Sequence, residues 1–192
     1  MDVSAASDFI GSGIYFSLKE VMLMKNVNFV QIYKENEAIC ETARELCVPY
    51  FGELNEHDGI IESNEKILDA INKRIAIQDK RKDMHFEIAF FNNIAIGIAM
   101  FAIDLGTVCG LLESGYGTVM EFYIRPEYRR MNFGKEFWLH IEDTLCEDGA
   151  SHCYVTPDSV TGVPFWTSMG FEDSGLVDPD NKQPIYTKAI SK

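Results

Sequence analysis

The 192-residue chain has no C-x-x-C pair, and its five cysteines, Cys40, Cys47, Cys109, Cys146 and Cys153, are odd in number. That argues against a disulfide framework and a zinc site and fits reduced thiols in a cytoplasmic protein. Long hydrophobic runs are missing. The most apolar stretch, residues 94–103, is bounded by Asn92-Asn93 and Asp104 and is too short to span a bilayer. The first residues lack the basic start of a signal peptide. Positive charge is scarce: 17 Lys and Arg against 30 Asp and Glu leave a net charge of -13. This balance argues against general affinity for nucleic acid or a membrane surface, and it permits a cationic substrate. Neither G-x-x-x-x-G-K-[ST] nor G-x-G-x-x-G occurs, which removes the P-loop and the dinucleotide fingerprint.

What is present suits one soluble domain. Hydrophobic residues make up 46% and charged residues 24% of the chain, enough apolar surface for a core without staples. Residues 27–33, VNFVQIY, read as a strand. Residues 34–47 place Ile39, Ala43, Leu46 and Cys47 at helical spacing, and Pro49 is expected to end that helix. The acid- and glycine-rich stretch 50–61 then reads as a loop. Ser63 can cap a second helix that carries Ile67, Leu68, Ile71 and Ile75 on one face. The charge run DKRKD, residues 79–83, reads as a solvated turn. Residues 85–91 and 94–101 flank Asn92-Asn93, a two-residue turn that tolerates positive φ, and so form a hairpin. A third strand, 118–124, leads into a helix over about 133–146 with Phe133, Phe137, Trp138, Ile141 and Leu145 inward and Gly149 as its stop. A strand at 151–156, a short helix at 163–169 and strands at 171–177 and 184–190 complete the order β-αα-βββ-α-β-α-ββ. The expected fold is α/β (α+β): a single mixed, mostly antiparallel sheet of six to seven strands flanked by about four helices.

Residues 24–192 read as that one domain. Residues 1–23 read either as translated leader or as an N-terminal arm. The codons of Lys19-Glu20-Val21 can spell a bacterial ribosome-binding sequence just upstream of Met24, which would place the natural start at Met22 or Met24.

The most informative stretch is YIRPEYRRMNFGKEFW, residues 123–138. It carries a strand into a helix, and Arg125, Arg129, Arg130 and Lys135 crowd that turn in an otherwise acidic chain. A helix start leaves its first N–H groups unpaired, and its dipole adds partial positive charge. Such a turn suits an anion, and a diphosphate fits both the backbone and the side chains.

Read as a motif, Arg129-Arg130-Met131-Asn132-Phe133-Gly134 resembles the Q/R-x-x-G-x-G/A signature of the GCN5-related N-acetyltransferase (GNAT) superfamily. YIRPEYRR is similar to that family's lead-in, and PFWTSMGFE, residues 164–172, to its A-x-x-F-Y-x-x-x-G-F segment. The element order agrees from residue 27 to the C-terminus. The resemblance implies acetyl-CoA as cosubstrate, no metal, and an amine acceptor of a small molecule or peptide, in a monomer or homodimer. It implies that Phe122, Tyr123 and Ile124 offer backbone groups to the acetyl carbonyl and the pantetheine arm. Arg129, Arg130, Met131, Asn132, Phe133, Gly134 and Lys135 correspond to the pyrophosphate loop, and Ser159 and Trp166 to further cofactor contacts.

Three positions depart from the pattern. Asn132 replaces a glycine; asparagine tolerates left-handed conformations, and its side chain could instead cap the helix. Trp166 replaces the usual acidic tyrosine, and Ser159 an asparagine. Tyr123 and Tyr154 are then the candidate proton donors. Glu121 is the candidate base, since alternation puts Glu121 and Tyr123 on one face, opposite Met120, Phe122 and Ile124. Glu87 is a weaker rival, and His85 and His152 read as structural. Glu53, Glu56, His57 and Asp58 form an acidic lip that could border the acceptor. The departures keep a second reading open: an acyl-CoA-binding sensor or interaction module of the same fold with impaired catalysis.

Overall fold

The computed structural model describes residues 27–59, 63–78, 80–106, 110–112, 114–180 and 182–191. The leader or arm at residues 1–23 lies outside them. Seven strands form one sheet: β1 (Val27–Gln31), β2 (Met84–Phe91), β3 (Ile94–Asp104), β4 (Tyr116–Ile124), β5 (His152–Val155), β6 (Glu172–Val177) and β7 (Pro184–Ala189). Their order is β1-β2-β3-β4-β5-β7-β6. Every neighbouring pair is antiparallel except β4 and β5. Among the described residues, four helices flank the sheet: α1 (Glu37–Asp58), α2 (Asn64–Gln78), α3 (Phe133–Glu147) and α4 (Gly162–Ser168). A 3-10 turn, Pro126–Tyr128, lies between β4 and α3.

The helices divide the core into two layers. On one face, Phe133, Phe137, Trp138, Ile141 and Leu145 of α3 pack on Ile96, Ala99, Phe101 and Val119 of the sheet. On the other, Cys40, Ala43, Leu46 and Cys47 of α1 and Ile67, Ile71 and Ile75 of α2 cover Phe86, Ile88, Ile98 and Met100. Burial of the helical stripes read from spacing supplies most of the folding drive. The Asn92-Asn93 turn has φ values of 50° and 63°, as a two-residue hairpin requires. Ser63 accepts the N–H of Lys66 at 3.4 Å.

The first helix corrects the sequence reading. Pro49 does not end it; α1 continues to Asp58, so Glu53, Glu56 and His57 are helical rather than in a loop. A mid-helix proline loses one backbone hydrogen bond. Tertiary contacts offset that loss: Tyr50 is buried, Phe51 and Leu54 pack on the core, and Glu53 and His57 bind groups across the sheet. The true stop is Gly59, at φ 66°, whose N–H reaches the carbonyls of Asn55 and Glu56. The charge run is also less solvated than expected. Arg81 is mostly buried and binds Asp83 and the Ile103 carbonyl.

Candidate active site

The two central strands part company at the site. β4 and β5, the parallel pair, match only at Gly117 with Cys153 and at Thr118 with Tyr154. On its other edge β4 stays laddered to β3 as far as Ile124. From residue 119 onward β4 therefore has a strand partner on one side only among the described residues, and β5 diverges from its other edge. An interior strand with a free edge is a place for an extended ligand to add.

A bulge lies inside this stretch. Met100 pairs with Glu121 and Phe101 with Val119, so Met120 has no opposite residue. The extra residue rotates the strand. Phe122 and Ile124 pack with the α3 layer, whereas Met120 and Tyr123 pack with the α1–α2 layer. Simple alternation had placed Met120 with Phe122 and Ile124; the bulge moves it to the side of Glu121 and Tyr123.

The strand then runs into the basic turn. Arg130 and Asn132 take φ values of 61° and 67°. Asn132 occupies the N-cap position of α3 in left-handed conformation, and its side chain makes no capping bond. The capping alternative is thus overturned, because the left-handed backbone turns the side chain away from the helix N–H groups. The Asn132 carbonyl accepts the N–H of Glu136 at 3.0 Å and starts the helix. Glycine is favoured here because a Cβ at positive φ is strained, and asparagine is among the residues that bear that strain best. At Gly134 a Cβ would lie 3.1 Å from the Phe165 ring. The missing side chain lets α4 close onto the first turn of α3.

The four cations of the turn divide their work. Arg129 donates Nη1 and Nη2 to the two carboxylate oxygens of Glu53 at 2.8 and 2.6 Å and Nε to the Ile124 carbonyl at 2.8 Å. Glu53, then burial in opposition, sets its pKa, with a net upward shift. Its charge is therefore spent on tying α1 to the turn. Arg130 and Lys135 are exposed and take part in no ion pair among the described residues. At the base of the turn, the buried Nε of Arg125 lacks a partner among the described residues.

The acid–base groups lie around the fork. Glu121 is 8% exposed and accepts Arg74 Nε at 2.6 Å. Burial, then the charge of Glu121 to which its hydroxyl hydrogen-bonds, pushes the Tyr50 phenol well above its ordinary value. Burial likewise pushes the thiol of nearby Cys47 up to about 12, so it stays protonated and inert. Tyr123 is buried with Tyr50 ring-to-ring at 5.3 Å and Arg129 over its face at 5.4 Å. Burial raises its phenol pKa too. Tyr154 is fully buried and donates its hydroxyl to Asp104. Asp104 also accepts the N–H groups of Gly106 and Gly110, both at 2.8 Å. Trp166 is buried among Phe122, Trp138, Phe165 and Phe171. Ser159 is exposed in the turn after β5.

Other sequence candidates lie elsewhere. Glu87 binds His140 at 2.6 Å under α3, with His85 beside it. His152 stacks on Tyr116. His57 reaches across the fork to Asp158, Nδ1 to Oδ1 at 3.1 Å. Asp158 is mostly buried. Burial opposes its charge, but the N–H groups of Thr161 and Val160, the Thr161 hydroxyl and the Gly162 N–H outweigh it and hold its pKa below the ordinary value.

Arg74, Tyr50, Asp104 and Asp158 escaped the sequence reading. Only Asp158 left a signal, an aspartate just ahead of a short helix in DSVTG. Arg74 meets Glu121 across 47 residues of chain and Asp104 meets Tyr154 across 50.

No curated protein matches the chain by sequence. Solved structures match it in fold. An acetyltransferase of the GNAT family from Staphylococcus aureus MU50 has a TM-score of 0.62 at 15% identity, over 86% of this chain and 99% of that one. The PaiA N-acetyltransferase from Thermoplasma acidophilum, solved in complex with coenzyme A, has a TM-score of 0.57 at 21% identity, over 85% and 99%. AAC(6')-Iy, solved with the bisubstrate analogue CoA-S-monomethyl-acetylneamine, has a TM-score of 0.57 at 16% identity, over 79% and 95%. The model of the acetyltransferase (GNAT) family matches residues 41–171, and with that match the chain belongs to the GNAT family of acetyltransferases.

Proposed function

We infer that the protein is an acetyl-CoA-dependent N-acetyltransferase that acts on an amine of a small molecule or peptide by direct attack on the thioester. The observation that carries this reading is the fork. β4 loses β5 as a partner after Thr118 and then runs directly into the basic, left-handed turn at the start of α3. The residues present fit the cosubstrate. The turn combines a helix N-terminus with Arg130, Lys135 and the Arg125 Nε, none of which has a partner among the described residues, a setting for a diphosphate. When bound, acetyl-CoA supplies the electrophilic thioester carbon that the amine nitrogen attacks, with loss of the thiolate.

The chain's own groups supply the rest. The free edge of β4 at Phe122, Tyr123 and Ile124 offers backbone groups to the pantetheine arm and the acetyl carbonyl. Met131, Asn132, Phe133 and Gly134 present main chain to the diphosphate, with Ser159 and Trp166 flanking the arm. Glu121, held in place by Arg74 and Tyr50, takes a proton from the acceptor's ammonium, which frees the nitrogen lone pair for attack. Tyr123, kept protonated by burial, gives its proton to the departing sulfur. The hydroxyl of Tyr154 is engaged by Asp104, which favours Tyr123 over Tyr154 for this step.

A second reading has its own support. Trp166 is locked in the aromatic cluster, and indole N–H is no useful acid. A sensor or interaction module that binds acyl-CoA with impaired catalysis would tolerate this. The two separate in one assay: protein, acetyl-CoA and a panel of polyamines, aminoglycosides and peptides, with free thiol followed. Amine-dependent thiol release is expected. CoA binding without it identifies the binding module. Within the transferase reading, Glu121→Gln is expected to lower the rate about 100-fold or more near neutral pH; an unchanged pH–rate profile removes Glu121 as the base.

A further inference from the structure

A cavity of about 560 Å³ lies between the end of α2 and the start of β2, within the roughly 300–1,000 Å³ typical of ligand sites. None of its lining residues belongs to the fork or to the basic turn. The charge run at 79–83 supplies Lys80, Arg81 and Lys82 to its wall, and Gln31 and Gln78 line it with them. Two buried polar atoms of these lining residues have no partner among the described residues: Gln78 Oε1 and Arg81 Nη1. Gln78 is 4% exposed. Its amide nitrogen donates to the Gln31 oxygen at 3.0 Å, in the Gln31 orientation that also accepts the Phe86 N–H, and its own oxygen is left over. Arg81 spends Nε and Nη2 on Asp83 and the Ile103 carbonyl, which leaves Nη1. Buried polar atoms are rarely left unmatched. These two point to a ligand that brings a donor to Gln78 and an acceptor to Arg81.

We propose that this cavity is a second binding site, for a small anion that also carries a hydroxyl. The negative group lies at Lys80, Lys82 and Arg81 Nη1, and the hydroxyl donates to Gln78 Oε1. Lys80 and Lys82 are exposed and make no ion pair among the described residues. The nearby carboxylates are already engaged: Asp83 by Arg81, Glu87 by His140 and Asp148 by His85. The two lysines therefore give the cavity a positive wall in a chain of net charge -13. In a partly enclosed cavity such charge attracts an anion more strongly than on open surface, because less water screens it. Hydroxycarboxylates and phosphate esters of polyols share this chemistry. The proposal is independent of the transferase reading.

The test uses two matched pairs of probes, citrate against tricarballylate and glycerol 3-phosphate against propyl phosphate. Within each pair only hydroxyls differ. Calorimetry is run on the CoA-saturated protein, which keeps the probes off the basic turn. The hydroxylated member of at least one pair is expected to bind about 5-fold tighter or better than its mate, and the pair that shows it tells carboxylate from phosphate. Lys80→Gln combined with Lys82→Gln, both at exposed side chains, is expected to weaken both members of that pair about 10-fold. Gln78→Met is expected to erase the hydroxyl preference and leave the unhydroxylated member bound as before. If Gln78→Met does not fold, the matched pairs and the lysine variant decide. Equal affinities within both pairs, no binding of any probe, binding indifferent to the lysine variant, or a hydroxyl preference that survives Gln78→Met each overturn the proposal.

Discussion

Removing the Glu53–Arg129 clamp is the sharpest probe of how α1 is held over the site. The guanidinium meets both carboxylate oxygens at 2.8 and 2.6 Å, and its Nε holds the Ile124 carbonyl at 2.8 Å. The side chains are 31% and 23% exposed. An exposed pair is worth about 0.5 kcal/mol, and breaking a fully buried one costs about 3–5 kcal/mol. A mostly buried, bidentate pair falls between, at about 2 kcal/mol of coupling. The assay is urea unfolding of the wild type, Glu53→Gln, Arg129→Met and the double variant, with the coupling taken from the cycle. Glu53→Gln alone is expected to lower Tm by about 4–8 °C for a domain of this size. Most of the coupling is expected to persist at about 1 M salt, since a half-buried pair is poorly screened. A coupling below about 0.5 kcal/mol would show that the clamp is an ordinary surface pair, and that apolar packing alone carries α1 past Pro49.

Two further outcomes follow from the turn and from Asp158. Asn132→Gly is expected to keep or improve CoA affinity, and Asn132→Ala to cost about 1 kcal/mol of stability at φ 67°; calorimetry and thermal melts check both, and an alanine variant as stable as wild type would refute the strain argument. The folded pKa of Asp158 lies below its ordinary value, so its contribution is present above the unfolded carboxyl pKa of about 3.9 and is lost as pH falls through the lower folded value. The stability deficit of Asp158→Asn is therefore expected to be large at neutral pH and to narrow below about pH 4, and a deficit that stays constant on acidification would contradict this linkage.

Much of this was legible in the chain. The stripe of Phe133, Phe137, Trp138, Ile141 and Leu145 and the Asn92-Asn93 hairpin follow from local rules of spacing and backbone conformation, and each residue lies where its pattern puts it. The basic turn was legible for the same reason, since a helix start and its charges are contiguous in sequence. Pro49 misled because a local rule was outweighed by distant partners: Arg129 lies 76 residues from Glu53, and Asp158 lies 101 from His57. Met120 changed sides because one unpaired residue resets a period of two.

The sequence by itself determined the order of elements, the two apolar layers and the cationic turn, because each depends on residues a few positions apart. Only the tertiary structure decided which cation of the turn is tied into an ion pair and which hydroxyls are engaged. Those facts depend on which side chains share space once the chain is closed, and the competition of Glu53 for Arg129 and of Asp104 for Tyr154 has no local trace.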